Sequence, residues 1–203
     1  MTVNSYLTEQ EKSILEHAVI GIAGAGGLGS NCAMHLVRSG VRKFVIADFD
    51  TVSAGNLNRQ FFFTDQIGRS KVEALAENLR RIEPSLELEL HSCRLTAENM
   101  PAIFSGCDIV VECFDDPDSK MTLIRLMSEN GRTVVAASGI AGWGKSNAVK
   151  LRKVGGNCYL VGDRHRRKPA SVLPAGRHRG GCSGEYRHLN PAGCGAVTTC
   201  CAN

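Results

Sequence analysis

Residues 18–31 read Ala-Val-Ile-Gly-Ile-Ala-Gly-Ala-Gly-Gly-Leu-Gly-Ser-Asn, a short apolar run that stops in glycine and turns at once into a string of small residues. An apolar run of this length, bounded by glycine, reads as a buried strand. The small residues open a helix whose apolar positions Ala33, Leu36 and Val37 recur at helical spacing, and Gly40 ends it. Gly24, Gly26 and Gly29 satisfy G-x-G-x-x-G, with Gly27 beside them, at a strand-to-helix turn. Glycines there permit a tight turn and a close backbone approach. The helix N-terminus then offers unpaired N–H groups and a partial positive charge to a phosphate. Alone the motif is weak, because any tight strand–helix turn can look like this.

The same alternation continues outward. An amphipathic helix at 7–17 precedes the first strand, with Thr8 as its cap and Glu11 completing a capping box. VRKFVIADFD (41–50) is a second strand running into acids. QIGRSKVEALAENLRRIEP (66–84) is a periodic helix stopped by Pro84, and LELELHSC (86–93) alternates as a strand. MPAIFSG (100–106) is a short helix, CDIVVECF (107–114) a buried strand, and DSKMTLIRLMSENG (118–131) a helix closed by Gly131. TVVAASGIAG (133–142) is a strand, and SNAVKLRKVG (146–155) reads as one more. Strand–helix–strand repetition predicts an α/β fold: a Rossmann-like doubly wound, mostly parallel sheet with helices on both faces.

Composition removes other classes. The chain has 203 residues, 43% hydrophobic and 22% charged, ordinary values for a globular domain. No segment approaches the roughly 18 apolar residues of a membrane span, and the N-terminus lacks the basic and apolar regions of a signal peptide. A cytoplasmic protein without membrane or nucleic-acid partners is the expectation. The net charge of +4 is unevenly placed: residues 1–163 sum to −2, and residues 164–203 to +6. The nine cysteines include no C-x-x-C pair, so structural zinc is not expected. Cys113, inside an apolar run, reads as a small buried hydrophobe.

The chain therefore divides into a nucleotide-binding body, 1–163, and an atypical tail, 164–203. The tail contains no Ile, Phe, Met or Trp and is rich in Arg, Gly, Pro, Ala and Cys. Three readings stand: a disordered basic tail, an out-of-frame translation of a GC-rich coding sequence, or a Cys/His metal cluster of no recognisable spacing.

Three further constellations carry chemistry. Asp48 ends the second strand, 19 residues after Gly29, the distance expected of an acid that accepts hydrogen bonds from ribose hydroxyls; the alternative is a turn carboxylate. Beyond it lie Asp50, then Asn56, Leu57, Asn58, Arg59 and Gln60, then Lys71 opening a helix. A nicotinamide dehydrogenase has no need for these polar residues, whereas a triphosphate does. Arg59 and Lys71 can neutralise phosphate oxygens, and Asn56 can orient one of them. Asp115 and Asp116 follow a buried strand, where carboxylates could hold Mg²⁺ against the phosphates.

In that order, GAGGLGSN (24–31), DFDTVSAGNLNRQ (48–60), GRSKVEAL (68–75) and VVECFDDPDSK (110–120) resemble the ubiquitin-activating-enzyme-like superfamily. Within it they resemble the compact ThiF branch, and the likeness runs from about Ala18 to Asp163 and includes NCYLVGD (157–163). The resemblance implies adenylation, with Mg-ATP, of the C-terminal Gly-Gly carboxylate of a small ubiquitin-like sulfur carrier, ThiS-like, in thiamine thiazole biosynthesis. It assigns Gly24, Gly26, Gly27 and Gly29 to the nucleotide loop and Asp48 to the ribose. Gly55 to Arg59 would lie along the triphosphate, with Arg59 the catalytic arginine and Lys71 the phosphate lysine. Asp115 would be the metal-binding and catalytic aspartate, beside Asp116.

The chain departs from the family pattern in three places. Many relatives supply an arginine to the ATP from the N-terminal helix of a second subunit of a dimer. Here the first arginine is Arg38, so that role is missing or falls to Lys12. The two C-x-x-C zinc pairs of longer relatives are absent, and the apolar helix that follows V-G-D is replaced by the tail. Cys158, the one body cysteine in the region where some relatives carry a relay thiol, lacks a catalytic-cysteine context and reads as structural. Other readings are a molybdopterin-type carrier or a tRNA base as substrate, or a non-catalytic nucleotide-binding protein. If the tail is unpacked, limited proteolysis cuts first within Arg164–Lys168; a tail protected from trypsin refutes that reading.

Overall fold

The computed structural model describes residues 6–138 and 149–162. The tail at 164–203 and the segment 139–148 lie outside the described residues. Helix α1 (Glu9–His17) starts at the Thr8 cap, whose hydroxyl and backbone N–H exchange hydrogen bonds with Glu11 as the sequence predicts. Strand β1 (Val19–Ala23) leads into α2 (Gly27–Ser39), which ends at Gly40 in the left-handed conformation. Strand β2 (Lys43–Ala47), α3 (Lys71–Arg80), β3 (Glu87–His91), α4 (Met100–Ile103), β4 (Ile109–Glu112), α5 (Pro117–Glu129) and β5 (Thr133–Ser138) follow. A hairpin of β6 (Lys150–Lys153) and β7 (Cys158–Gly162) completes the described chain.

The seven strands form one sheet in the order β3-β2-β1-β4-β5-β7-β6, with every pairing parallel except β6 with β7. The Rossmann-like doubly wound architecture is therefore present. Side chains alternate along the strands into two apolar clusters. Ile20, Ile22, Phe44 and Ile46 meet α2 and α3 on one face, through Ala33, Leu36, Val37, Leu75 and Leu79. Ala23, Val45 and Ala47 turn to the other face, where Phe104, Leu123 and Met127 cover them. Both faces of the central strands are thus dry, which is why they read as continuous apolar runs.

Two expectations change. The helix read across 66–84 begins only at Lys71. The preceding residues instead pair with the segment after β2: Gly68 N–H donates to Val52 O (2.8 Å), Val52 N–H to Arg69 O (2.9 Å) and Lys71 N–H to Asp50 O (3.0 Å). Gly68, at φ +88°, makes the turn that frees residues 66–70 from the helix. Strand β7 is an addition to the predicted elements; it sits parallel to β5 and supplies the partner for the edge strand β6. No helix among the described residues is long and apolar enough to cross a membrane.

The tightest backbone approach lies between β1 and α2. A Cβ on Gly29 would stand 1.8 Å from the carbonyl oxygen of Gly24. Backbone on both sides leaves no flexible side chain to yield, so Gly29→Ala is expected to destabilise the chain by about 3 kcal/mol. Gly106→Ala, with nothing within 4 Å of the added methyl, should stay within about 0.5 kcal/mol of the parent. Urea unfolding of the two variants measures the difference.

Candidate functional site

Strand order reverses at β1, whose two neighbours β2 and β4 are reached by crossovers in opposite directions. Ligands of open α/β sheets bind outside the carboxyl ends of the strands at such a switch point. A cleft of about 920 Å³ opens there, floored by the Gly24–Gly27 turn and walled by the segments that follow β2, β3 and β4. Gly24, Gly26, Gly27, Asp48, Asp50, Arg59, Gln60, Lys71, Asp115 and Asp116 all line it. Residues separated by up to 92 positions in the sequence are thus brought to one concave surface.

Not every expected residue lines the cleft. Gly29 lies behind the turn, against Gly24. Gly55 and Asn56 belong to a single 3-10 turn, Ala54–Asn56, in which Asn56 Oδ1 accepts from Ser53 N–H at 3.1 Å. Leu57 packs on the apolar cluster beneath, and Asn58 Oδ1 accepts from Arg59 Nη1 at 2.9 Å. The last four shape the segment that carries Arg59, and none of the five is in the lining of the cleft.

Asp48 is 9% exposed and anchored by backbone: Oδ2 accepts from Ala25 N–H (2.6 Å) and Oδ1 from Asp50 N–H (2.8 Å). A carboxylate has about four acceptor positions, so these two bonds fix its orientation while leaving acceptors for a ribose. Lys71 opens α3, and its side chain is only 7% exposed; Nζ meets Asp50 Oδ2 at 2.7 Å. That pairing uses one of three ammonium donors. Arg59 drapes its chain over Gly27, within 3.5 Å of where a Cβ would be, and donates to Gly55 O at 3.1 Å.

Beyond β4, Asp115 is exposed on the turn into α5. Asp116 caps α5, its Oδ2 accepting from Ser119 N–H at 2.8 Å, and hydrogen bonds from Ser119 hold its carboxyl below the usual aspartate range. Glu112, a residue the sequence reading passed over, is fully buried directly before this turn. It accepts from Phe114 N–H at 2.7 Å and pairs with Lys120 of α5. Its charge within an apolar run, VVECF, was the available signal. Among the described residues no three His, Cys, Asp or Glu side chains converge as a metal site. A divalent cation held here would take one or two carboxylates from the protein and its remaining ligands from phosphates, the ordinary manner for Mg²⁺. Lys12, the alternative to a second subunit's arginine, lies on the exposed α1 and pairs with Glu9 at 2.6 Å.

The model of the ThiF family matches residues 3–197. The chain belongs to the ThiF family. This ThiF-family chain is 34% identical, over 146 residues, to the adenylyltransferase and sulfurtransferase UBA4 of Candida glabrata, covering 71% of the chain and 34% of that protein. It is 33% identical over 148 residues to the ubiquitin-like modifier-activating enzyme 5 of Xenopus laevis, covering 67% and 37%. It is 33% identical over 150 residues to the tRNA threonylcarbamoyladenosine dehydratase 2 of Saccharomyces cerevisiae, covering 72% and 33%. The chain spans about a third of the length of these relatives. Among solved structures, E. coli tRNA N6-threonylcarbamoyladenosine dehydratase, TcdA, superposes with a TM-score of 0.74 over 80% of both chains at 22% identity. TcdA has also been solved in complex with ATP. These names do not single out the thiamine sulfur carrier, the first of the readings drawn from the motifs, and one of them bears on the alternative of a tRNA substrate.

The cysteines give this arrangement a chemical test. Cys113 lies under the glycine turn, where burial pushes its thiol well above the ordinary value. Burial likewise raises Cys107, to about 12, and Cys158. The thiolate is the nucleophile, so at pH 8 iodoacetamide should modify half-buried Cys93 before Cys32, Cys107, Cys113 or Cys158 in the folded protein. Peptide mass spectrometry reads the order, and early labelling of Cys113 would contradict the packing under the turn.

Proposed function

We propose that this chain is an ATP-dependent adenylyltransferase that activates the C-terminal carboxylate of a small ubiquitin-like carrier, a ThiS-like sulfur carrier ending in Gly-Gly being the specific candidate. The observation that carries the reading is the convergence of Arg59, Lys71 and Asp115 on the glycine turn, in one cleft with Asp48. Four carboxylates and three cations, Arg59, Lys71 and Arg94, line that cleft. The lining is therefore slightly acidic on balance and does not by itself offset a triphosphate, so the reading calls for a divalent cation on the carboxylates. Mg²⁺ bound at Asp115 would offset part of the phosphate charge as pyrophosphate departs.

Asp48, fixed by two backbone N–H groups, accepts from the ribose hydroxyls. The N-terminus of α2 faces the phosphates. A carrier carboxylate oxygen attacks the α-phosphorus in line. The new O–P bond forms as the bond to the bridging oxygen breaks, and pyrophosphate leaves with that electron pair. Negative charge grows on the phosphate oxygens, and cations already fixed in place lower the barrier because they need no reorganisation. The Asp50 pairing and near-complete burial hold Lys71 in place before ATP arrives. The Arg59 guanidinium, bonded to its own loop, exchanges the Gly55 and Asn58 oxygens for phosphate.

A second reading, adenylation of a tRNA base, is supported by the relative named as a tRNA dehydratase. Carrier-dependent exchange of pyrophosphate into ATP separates the two when run with a ThiS-like carrier and with total tRNA. Arg59→Ala and Asp115→Ala should each lower exchange about a hundredfold, the scale of losing one charge-stabilising group. Asp48→Ala should act mainly through weaker ATP binding, since a ribose contact is alike in ground and transition states. Full exchange in Arg59→Ala removes this mechanism. Tighter binding of NAD than of ATP by calorimetry removes the nucleotide assignment, and ATP binding without exchange on any substrate leaves a non-catalytic nucleotide-binding protein.

A further inference from the structure

The segment that carries Arg59 has no regular secondary structure beyond single turns, yet it must present a guanidinium to a ligand with sub-ångström accuracy. Its backbone is held by two adjacent residues of α2. Ser30 Oγ accepts from Phe61 N–H at 3.0 Å. Asn31 Nδ2 donates to Arg59 O at 2.8 Å and to Gly27 O at 2.6 Å. Both hydrogens of one amide are therefore spent, one on the helix turn beneath the Arg59 side chain and one on the Arg59 backbone. Behind the loop, Asn78 donates to Phe61 O (2.9 Å) and to Gln66 Oε1 (3.0 Å), and Gln66 Nε2 donates back to Asn78 Oδ1 (2.8 Å). That second lock anchors residues 61–66 to α3, but it does not reach Arg59. Only Asn31, among the described residues, bonds both to the glycine turn's helix and to the arginine's own peptide.

We propose that Asn31 is a positioning residue: its amide clamps the Arg59 backbone to the first turn of α2, so that the guanidinium lies over Gly27 facing the outer phosphates of a bound nucleoside triphosphate. The proposal rests on the adenylyltransferase reading for the identity of that ligand. Its logic is local. Arg59 cannot reach over Gly27 unless its backbone stays near α2, and the Asn31 amide supplies the donors that keep it there. An apolar or shorter side chain at 31 leaves the Arg59 carbonyl without this partner and lets the loop relax away from the turn.

The test compares ATP with AMP, because AMP lacks the outer phosphates that Arg59 would meet. Mg²⁺-dependent binding of each nucleotide to the full chain is measured by calorimetry for the parent, Asn31→Ala and Arg59→Ala, and for the double variant. Asn31→Leu, similar in shape and a good helix former, stands in if the alanine variant loses its helical circular dichroism. The expected result is a loss of about threefold to tenfold in the ATP-over-AMP affinity ratio, the worth of about one hydrogen bond, with AMP affinity unchanged. In the Arg59→Ala background the Asn31 substitution should have no further effect, since it acts through the arginine. An unchanged ratio, an equal loss of ATP and AMP, or the same loss with Arg59 already removed would each overturn the proposal. A parent chain that binds AMP as tightly as ATP would instead overturn the phosphate assignment on which it rests.

Discussion

The carbonyl of Gly24 and the Cα of Gly29 are in contact, and everything chemical in this molecule hangs from that contact. A methyl group on Gly29 would overlap the Gly24 oxygen. The chain can therefore pass from β1 to α2 through three residues, 24–26, which sets the helix N-terminus close to the carboxyl end of the strand. The same close turn brings Gly27 under the Arg59 side chain and puts Ser30 and Asn31 within reach of the loop that carries it. One backbone constraint thus defines the glycine platform of the cleft and holds the segment whose arginine lies over it.

Around that platform the structure spends buried polar groups unusually freely. Asp48 is tied to the backbone of Ala25, Lys71 to Asp50, Gln66 to Asn78, and Glu112 to Lys120 and the Phe114 peptide. Buried charge is tolerated only when paired or hydrogen-bonded, and each of these groups is. Their common effect is to lock loops rather than helices: the turn after β2, the segment that follows Arg59, and the turn after β4. Two residues lining the cleft, His35 and Gln60, each keep one buried atom without a partner among the described residues, Nε2 and Oε1. Such atoms are rare in folded proteins, and here they lie in the wall of the cavity assigned to the ligand.

The sheet and its helices were legible in the chain because they are local and periodic. Apolar runs bounded by glycine marked β1 and β4. The capping box at Thr8 and Glu11 marked α1, and the 3.6-residue period marked α2 and α5. The helix read from Gln66 starts only at Lys71 because hydrophobic periodicity extends back through Ile67, whereas long-range backbone bonds to Val52 and Asp50 claim Gly68, Arg69 and Lys71. Strand β7 escaped notice because Cys-Tyr-Leu-Val is short and lies beside an edge, where alternation is weak.

By itself, then, the sequence determined the α/β class, the glycine turn, the acid at 48 and the order of motifs that marks the ThiF family. These are properties of residue type and spacing, and they survive in a one-dimensional string. Only the tertiary structure decided which of the motif residues face the cleft and which support it. Asn56, Leu57 and Asn58 read as ligand contacts along the chain, yet they build the turn from which Arg59 projects. Gln66 and Asn78 carry no signature, because they bond to each other and, through Asn78, to the Phe61 carbonyl 17 residues away; nothing along the chain marks Asn31 as the donor to the Arg59 carbonyl 28 residues on, and Glu112 shows only as a charge in an apolar run. A carbonyl acceptor leaves no trace in the residue type that owns it, so such bonds become visible only when the chain has closed upon itself.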